Sequence, residues 1–158
     1  MVSRGTARSV SYAPEEGPIR VRLMLNYGTS PVAMANVSSG RMPDDVLVVE
    51  DDPIIALDFE DTILGFGVKT VRAAASVARA LKMIEERAPD FVLLDVGLVR
   101  EKSFAVAERL DALGIPFAFV TGYGTEVKLP AAFIHKPRLP KPCVADALAA
   151  VLKSYRER

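Results

Sequence analysis

From Asp44 onward, short continuous apolar runs alternate with stretches whose apolar residues recur every three or four positions. Val46-Leu-Val-Val is apolar throughout and ends in Glu50-Asp-Asp, the pattern of a parallel strand buried on both faces. Pro53 stands where a first helical turn tolerates proline; Ile54, Ile55, Leu57, Phe59, Ile63 and Leu64 follow with mixed helical spacing until Gly65-Phe-Gly. Val68-Lys-Thr-Val predicts a second strand, and Ser76 is placed to cap a helix carrying Val77, Ala80, Leu81, Ile84 and Ala88, which Pro89-Asp90 breaks. Phe91-Val-Leu-Leu-Asp95 is a third strand, again apolar and again ending in an acid. Ser103 is placed to cap the next helix, with Phe104, Ala107, Leu110 and Leu113 on one side and Gly114 at its end. Phe117-Ala-Phe-Val-Thr121 is a fourth strand. Thr125 to His135 predicts one short helical turn at most, so the fourth crossover helix is weak. Arg138-Leu139, between Pro137 and Pro140, is a very short strand, and prolines without ladder donors put it at a sheet edge. Val144, Ala147, Leu148, Val151 and Leu152 define a closing amphipathic helix.

Five strands alternating with helices predict an α/β fold, a doubly wound parallel sheet covered on both faces, over residues 44–158. Residues 1–43 read differently, as Gly, Ser, Pro and Arg with scattered apolar positions; only Ile19-Arg-Val-Arg-Leu-Met-Leu alternates like a strand. They are expected to be a flexible N-terminal extension, or the product of a start codon chosen upstream of Met42.

Charge sharpens the division. Residues 1–43 carry five arginines and two glutamates, net +3, while residues 44–158 carry 15 basic and 18 acidic groups, net −3. The 158 residues balance to zero, which argues against a nucleic-acid binder, whose affinity rests on concentrated positive charge. No apolar run approaches the roughly 20 residues of a membrane span. The N-terminus lacks the apolar core of a secretion signal, and the single cysteine, Cys143, leaves no internal disulfide. A cytoplasmic protein without a membrane or nucleic-acid partner is expected.

In a doubly wound sheet, ligands bind outside the carboxyl ends of the strands. Glu50, Asp51 and Asp52 follow strand one, Asp95 closes strand three, Thr121 closes strand four and Lys141 follows strand five. Clustered carboxylates need a cation, and hard oxygen ligands of this charge suit Mg²⁺ or Mn²⁺. A carboxylate beside a divalent ion, a hydroxyl and an ammonium is a place to attach a phosphoryl group: Asp95 as the nucleophile, Thr121 and Lys141 binding the transferring oxygens. Taken singly, each residue has a plainer role. Asp52 before Pro53 is best read as a helix cap, a strand threonine serves β propensity, and a Lys-Pro is commonly solvated loop. The ordered combination is what points to chemistry.

Val46-Leu-Val-Val-Glu-Asp-Asp-Pro, Val92-Leu-Leu-Asp95, Thr121-Gly and Lys141-Pro resemble the receiver domain of two-component response regulators, over about residues 44–154. The resemblance implies a flavodoxin-like sheet of order 2-1-3-4-5 and phosphoryl transfer from a histidine kinase onto Asp95. It also implies Asp51 as a direct metal ligand, Glu50 acting on the metal mainly through water, and the Gly97 carbonyl as a further ligand. Phe119-Val-Thr-Gly-Tyr-Gly is similar to a subgroup whose fourth strand ends Phe-Ala-Thr-Gly-Tyr, often stand-alone receivers of alphaproteobacteria working with kinases of the HWE type. Of the two Lys-Pro pairs, Lys141 follows strand five and precedes the last helix, whereas Lys136 is expected to be a loop lysine. His135 is expected on a surface loop and Cys143 near the final helix start.

The departures from the resemblance are informative. Many receivers keep an aromatic residue three positions before the lysine, where this chain has Arg138; Tyr123 is the candidate switch residue instead. Gly97, two residues past Asp95, offers no side chain to position water, so slow loss of phosphate is expected.

No output domain is expected after the closing helix, so the chain reads as a stand-alone receiver: a relay, a phosphate sink, or a binder of an unknown downstream protein. It is expected to catalyse only its own phosphorylation and dephosphorylation. Two rivals differ in class. A phosphorylation-independent binding module of the same fold is argued for by Arg138 and the weak fourth helix, and against by the intact acids, Thr121 and Lys141. An aspartyl-phosphate phosphohydrolase commonly has a second Asp two residues after its nucleophile, where this chain has Gly97.

Overall fold

The computed structural model describes residues 40–99, 101–122 and 128–154. Residues 1–39, and with them nearly all of the expected extension, lie outside the described residues, as does Tyr123.

The chain alternates β1 (Asp45–Val49), α1 (Pro53–Gly65), β2 (Thr70–Ala74), α2 (Val77–Glu86), β3 (Phe91–Asp95), α3 (Phe104–Ala112), β4 (Phe117–Thr121), a 3-10 turn (Ala131–Phe133), β5 (Arg138–Pro140) and α4 (Ala145–Ser154). The five strands form one parallel sheet of order β2-β1-β3-β4-β5, the flavodoxin-like receiver arrangement. As the flanking prolines predict, β5 is an edge strand of three residues.

Because strand side chains alternate, each central strand feeds two interiors. Leu47, Val49, Val92, Leu94, Phe117 and Phe119 face α2 and α3, packing on Ala80, Met83, Ile84, Val106, Ala107 and Leu110. Val46, Val48, Phe91, Leu93, Ala118, Val120 and Leu139 face α1 and α4, against Phe59, Ile63, Leu148 and Leu152. Asp52 caps α1, its Oδ1 accepting the Ile54 and Ile55 amides, and Gly67 beyond the helix takes a φ of 89°. Ser76 caps α2 as predicted, accepting the Arg79 amide.

Two local expectations are corrected. β2 is Thr70–Ala74, not Val68 to Val71: Val68 is buried ahead of the strand against the α1 side. The strand continues through Arg72 because Asp45 on β1 receives its guanidinium in a two-pronged contact of 3.0 and 2.8 Å. Ser103 holds the cap position of α3, yet its hydroxyl makes no cap hydrogen bond and is buried without a partner. Lys136 lies in the loop ahead of β5, as expected, and it has partners there: its Nζ pairs with Asp111 Oδ1 at 2.7 Å and stands 4.8 Å from the centre of the Phe117 ring.

Between β4 and β5 the described residues hold only the 3-10 turn, which agrees with a weak fourth crossover. Its Phe133 packs edge-on against Phe117 and Phe119, with ring centroids 6.0 and 6.1 Å apart. No helix among the described residues is long and apolar enough to cross a membrane.

Candidate functional site

The parallel register brings the ends of β1, β3, β4 and β5 to one edge of the sheet. β1 stops at Val49, where the Glu50 amide still bonds to the Ala74 carbonyl. This turns the Glu50 side chain inward, 3 % exposed; Asp51 is half-buried, and Asp52 faces solvent as the cap of α1. Asp95 ends β3 opposite Val120, 5 % exposed, and Thr121 closes β4 one position further on. The Lys141 amide donates to the Thr121 carbonyl at 2.9 Å, which fixes the lysine just past β5. The Lys141–Pro142 peptide is cis.

The Lys141 ammonium binds Glu50 Oε2 at 2.5 Å and Asp95 Oδ2 at 2.7 Å. Glu50 Oε1 accepts the Asp52 amide at 3.0 Å, and Asp95 Oδ1 accepts the Gly97 amide at 2.9 Å. Asp51 takes a different partner, its Oδ2 accepting the Val99 amide at 2.7 Å. Ligand atoms of Glu50, Asp51 and Asp95 all lie within 4.8 Å of one another.

These contacts set the electrostatics. Burial pushes the Glu50 carboxyl above the usual carboxylate range, and the Asp95 charge adds to this, outweighing the downward pull of Lys141 and the Asp52 amide. Burial alone would lower the Lys141 pKa, but hydrogen bonds to Asp95 and Glu50 and their charges raise it above its ordinary value. Lys141 is therefore a firm cation. One ammonium pairs with two of the three grouped carboxylates, so the donor set has room in charge as well as in chemistry for a hard divalent ion.

The structure thus brings together Glu50, Asp51, Asp95, Gly97, Thr121 and Lys141. Gly97 enters the arrangement through its amide, and a Cβ there would stand 3.9 Å from Asp95 Oδ1, an ordinary contact. His135 is exposed, as expected, whereas Cys143 is half-buried and its thiol pKa is pushed up by burial. Cys143 lines a cleft of about 390 Å³ with Ile55, Phe59, Pro142 and Leu148 that reaches Lys141. The Val99 amide on Asp51 and the Glu101 carboxylate on the Val77 amide are contacts that the sequence reading misses. A backbone donor has no signature in residue identity, and Glu101 reads simply as a loop charge.

Residues 46–153 match the family described as the response regulator receiver domain. The chain belongs to that family. Receiver domains usually bind Mg²⁺ at such an acidic group and take part in two-component signalling, generally with a histidine kinase as partner. The chain is 32 % identical over 107 residues to the phyllosphere-induced regulator PhyR of Methylorubrum extorquens, a match covering 63 % of this chain and 40 % of PhyR. It therefore spans less than half the length of that curated relative. Among solved structures it is similar to SdrG from Sphingomonas melonis Fr1, with 38 % identity, a TM-score of 0.63, and coverage of 70 % of this chain and 94 % of SdrG. The BeF3-activated conformation of SdrG, from a source given as Pseudomonas melonis Fr1, matches at 36 % identity and a TM-score of 0.60, covering 69 % and 92 % of the two chains.

Proposed function

We propose that this receiver accepts a phosphoryl group on Asp95, with Mg²⁺ or Mn²⁺ at Glu50, Asp51, Asp95 and the Gly97 carbonyl, and passes the change to a protein partner. The observation that carries the reading is the buried Asp95 carboxylate held by Lys141 inside a group of three acids. A bound divalent cation supplies positive charge to the phosphoryl oxygens. The remaining work belongs to the chain. An Asp95 oxygen forms the new O–P bond while the P–N bond of a phosphohistidine breaks, and the imidazole leaves with the bonding pair. Lys141 exchanges its contact with Asp95 for one with a phosphoryl oxygen, and the Thr121 hydroxyl donates to another. The SdrG relative has been solved in a BeF3-activated conformation, which supports an acceptor role in this part of the family.

A histidine kinase is the proposed donor, of the HWE type on the likeness of Phe119-Val-Thr-Gly-Tyr-Gly. Relay, sink and binder are all compatible with this chemistry. A purely binding module is the second reading, favoured by Arg138, which is exposed and donates to the Ile134 carbonyl at 3.3 Å. Intact mass after incubation with acetyl phosphate and Mg²⁺ separates the two. A single hydroxylamine-labile adduct on wild type and none on Asp95→Asn is expected; no adduct on either, with no binding of beryllofluoride, leaves the binding module.

A further inference from the structure

The loop between β3 and α3 is tied down at both flanks of the acidic group. Gly97 bridges antiparallel to Lys102, so the loop folds back on itself. Near its tip the Val99 amide donates to Asp51 Oδ2 at 2.7 Å. Two residues later Glu101 Oε1 accepts the amide of Val77, the first residue of α2, at 2.9 Å. That amide is one of the orphan donors at a helix start, and the helix dipole favours a carboxylate there, so the contact has a reason to persist in water. Asp51, Ser76, Val99 and Glu101 line a single shallow cleft of about 210 Å³, which puts the tether beside the carboxylate.

We propose that Glu101 is a positioning residue for the cation site: by anchoring the loop to the start of α2, it holds the Val99 amide on Asp51. The inference rests on the reading that Glu50, Asp51 and Asp95 bind a divalent cation. A carboxylate free to rotate presents its oxygens in many directions. One whose Oδ2 is fixed by an amide presents the other in one. Glu101 itself lies outside the group of acids that could hold the ion. It acts at second hand, as outer partners of metal ligands commonly do.

The test is an Mg²⁺ titration of the full chain followed by backbone amide shifts. Glu101→Ala is expected to weaken Mg²⁺ binding about tenfold, the lower end of the effect of losing an outer-shell partner. Glu101→Gln, which keeps an acceptor oxygen, is expected to stay close to wild type. Ser76→Ala removes the other cap of the same helix and is expected to lower stability while leaving Mg²⁺ affinity unchanged. Without metal, hydrogen exchange of the Val99 amide is expected to quicken in Glu101→Ala and not in Ser76→Ala. Wild-type Mg²⁺ affinity in Glu101→Ala, an equal loss in Ser76→Ala, or unchanged Val99 exchange in Glu101→Ala would overturn the inference while the cation reading stands. A wild-type chain that does not respond to Mg²⁺ overturns that reading, and this inference with it.

Discussion

The Lys141 ammonium stands between two buried carboxylates, 2.5 Å from Glu50 Oε2 and 2.7 Å from Asp95 Oδ2, and is the cation that lets both remain inside the fold. Removing it leaves two buried carboxylates with their backbone amide donors but without a counter-charge. Lys141→Met is expected to cost about 2–3 kcal/mol at neutral pH, below the full value for a buried pair because the lysine retains some exposure. Urea denaturation reads this directly, and a loss within error of zero would mean that water replaces the ammonium freely.

The raised pKa of Glu50 fixes the sign of a pH effect. Its folded value lies above its unfolded one, so the native state binds more protons at this group. Its contribution therefore makes stability fall as pH rises from its ordinary value of 4.5 through the raised folded value. Glu50→Gln is expected to remove that downward contribution, measured as the difference between the two stability–pH profiles without metal. Profiles that run parallel through this window would contradict the assignment.

Asp51→Asn should separate stability from cation binding. The amide oxygen still accepts from Val99, while one of three crowded negative charges is removed. Metal-free stability is expected to rise by about 1 kcal/mol. Wild type should gain about 2.7 kcal/mol when Mg²⁺ is at a hundredfold excess over its Kd, and the variant little or nothing. Thermal melts with and without Mg²⁺ give both numbers, and an equal gain in the two proteins would remove Asp51 from the cation site.

Ser76 and Ser103 occupy the same position ahead of two helices and should respond in opposite ways. Ser76→Ala loses a cap and is expected to cost about 1 kcal/mol. Ser103→Ala removes a buried hydroxyl that has no partner, and is expected to be neutral or stabilising by up to about 1 kcal/mol. A comparable loss in both variants would show that Ser103 holds a hydrogen bond after all.

Gly97 leaves the approach to Asp95 open, and the geometry tolerates a side chain there. Gly97→Asn, able to orient water, is expected to speed loss of phosphate from phosphorylated Asp95 by about tenfold, a modest fraction of what a positioned acid or base supplies. Decay of the adduct mass over time measures it, and an unchanged half-life would place control of hydrolysis elsewhere.

The strands and site acids that were legible in the sequence are those whose residues answer to one demand. β1 and β3 are apolar at nearly every position because both faces are covered, and their terminal acids can only lie at the open edge. The apolar pattern sets β2 two or three residues early, since Arg72 reads as a break in a strand. Asp45, 27 residues earlier in the chain, makes it acceptable. The partners of the loop lysine Lys136 are hidden for a similar reason: Asp111 and Phe117, which give it a site, are distant in sequence. The acids at the strand ends could be named from order alone. Which oxygen each amide holds could not, since Val99 contributes only backbone to Asp51.

The alternation that splits the strands between two helix layers also gives the molecule two interiors with a shared wall. Ile63 and Leu148 lie on one side of the sheet, Leu110 and Phe119 on the other, and neither pair shares a cluster with the other. Volume lost on the α1 and α4 side therefore opens no cavity beneath α2 and α3, and the costs of paired substitutions across the sheet add. Only the strand ends, where acids from β1 and β3 meet the lysine after β5, require both halves to agree.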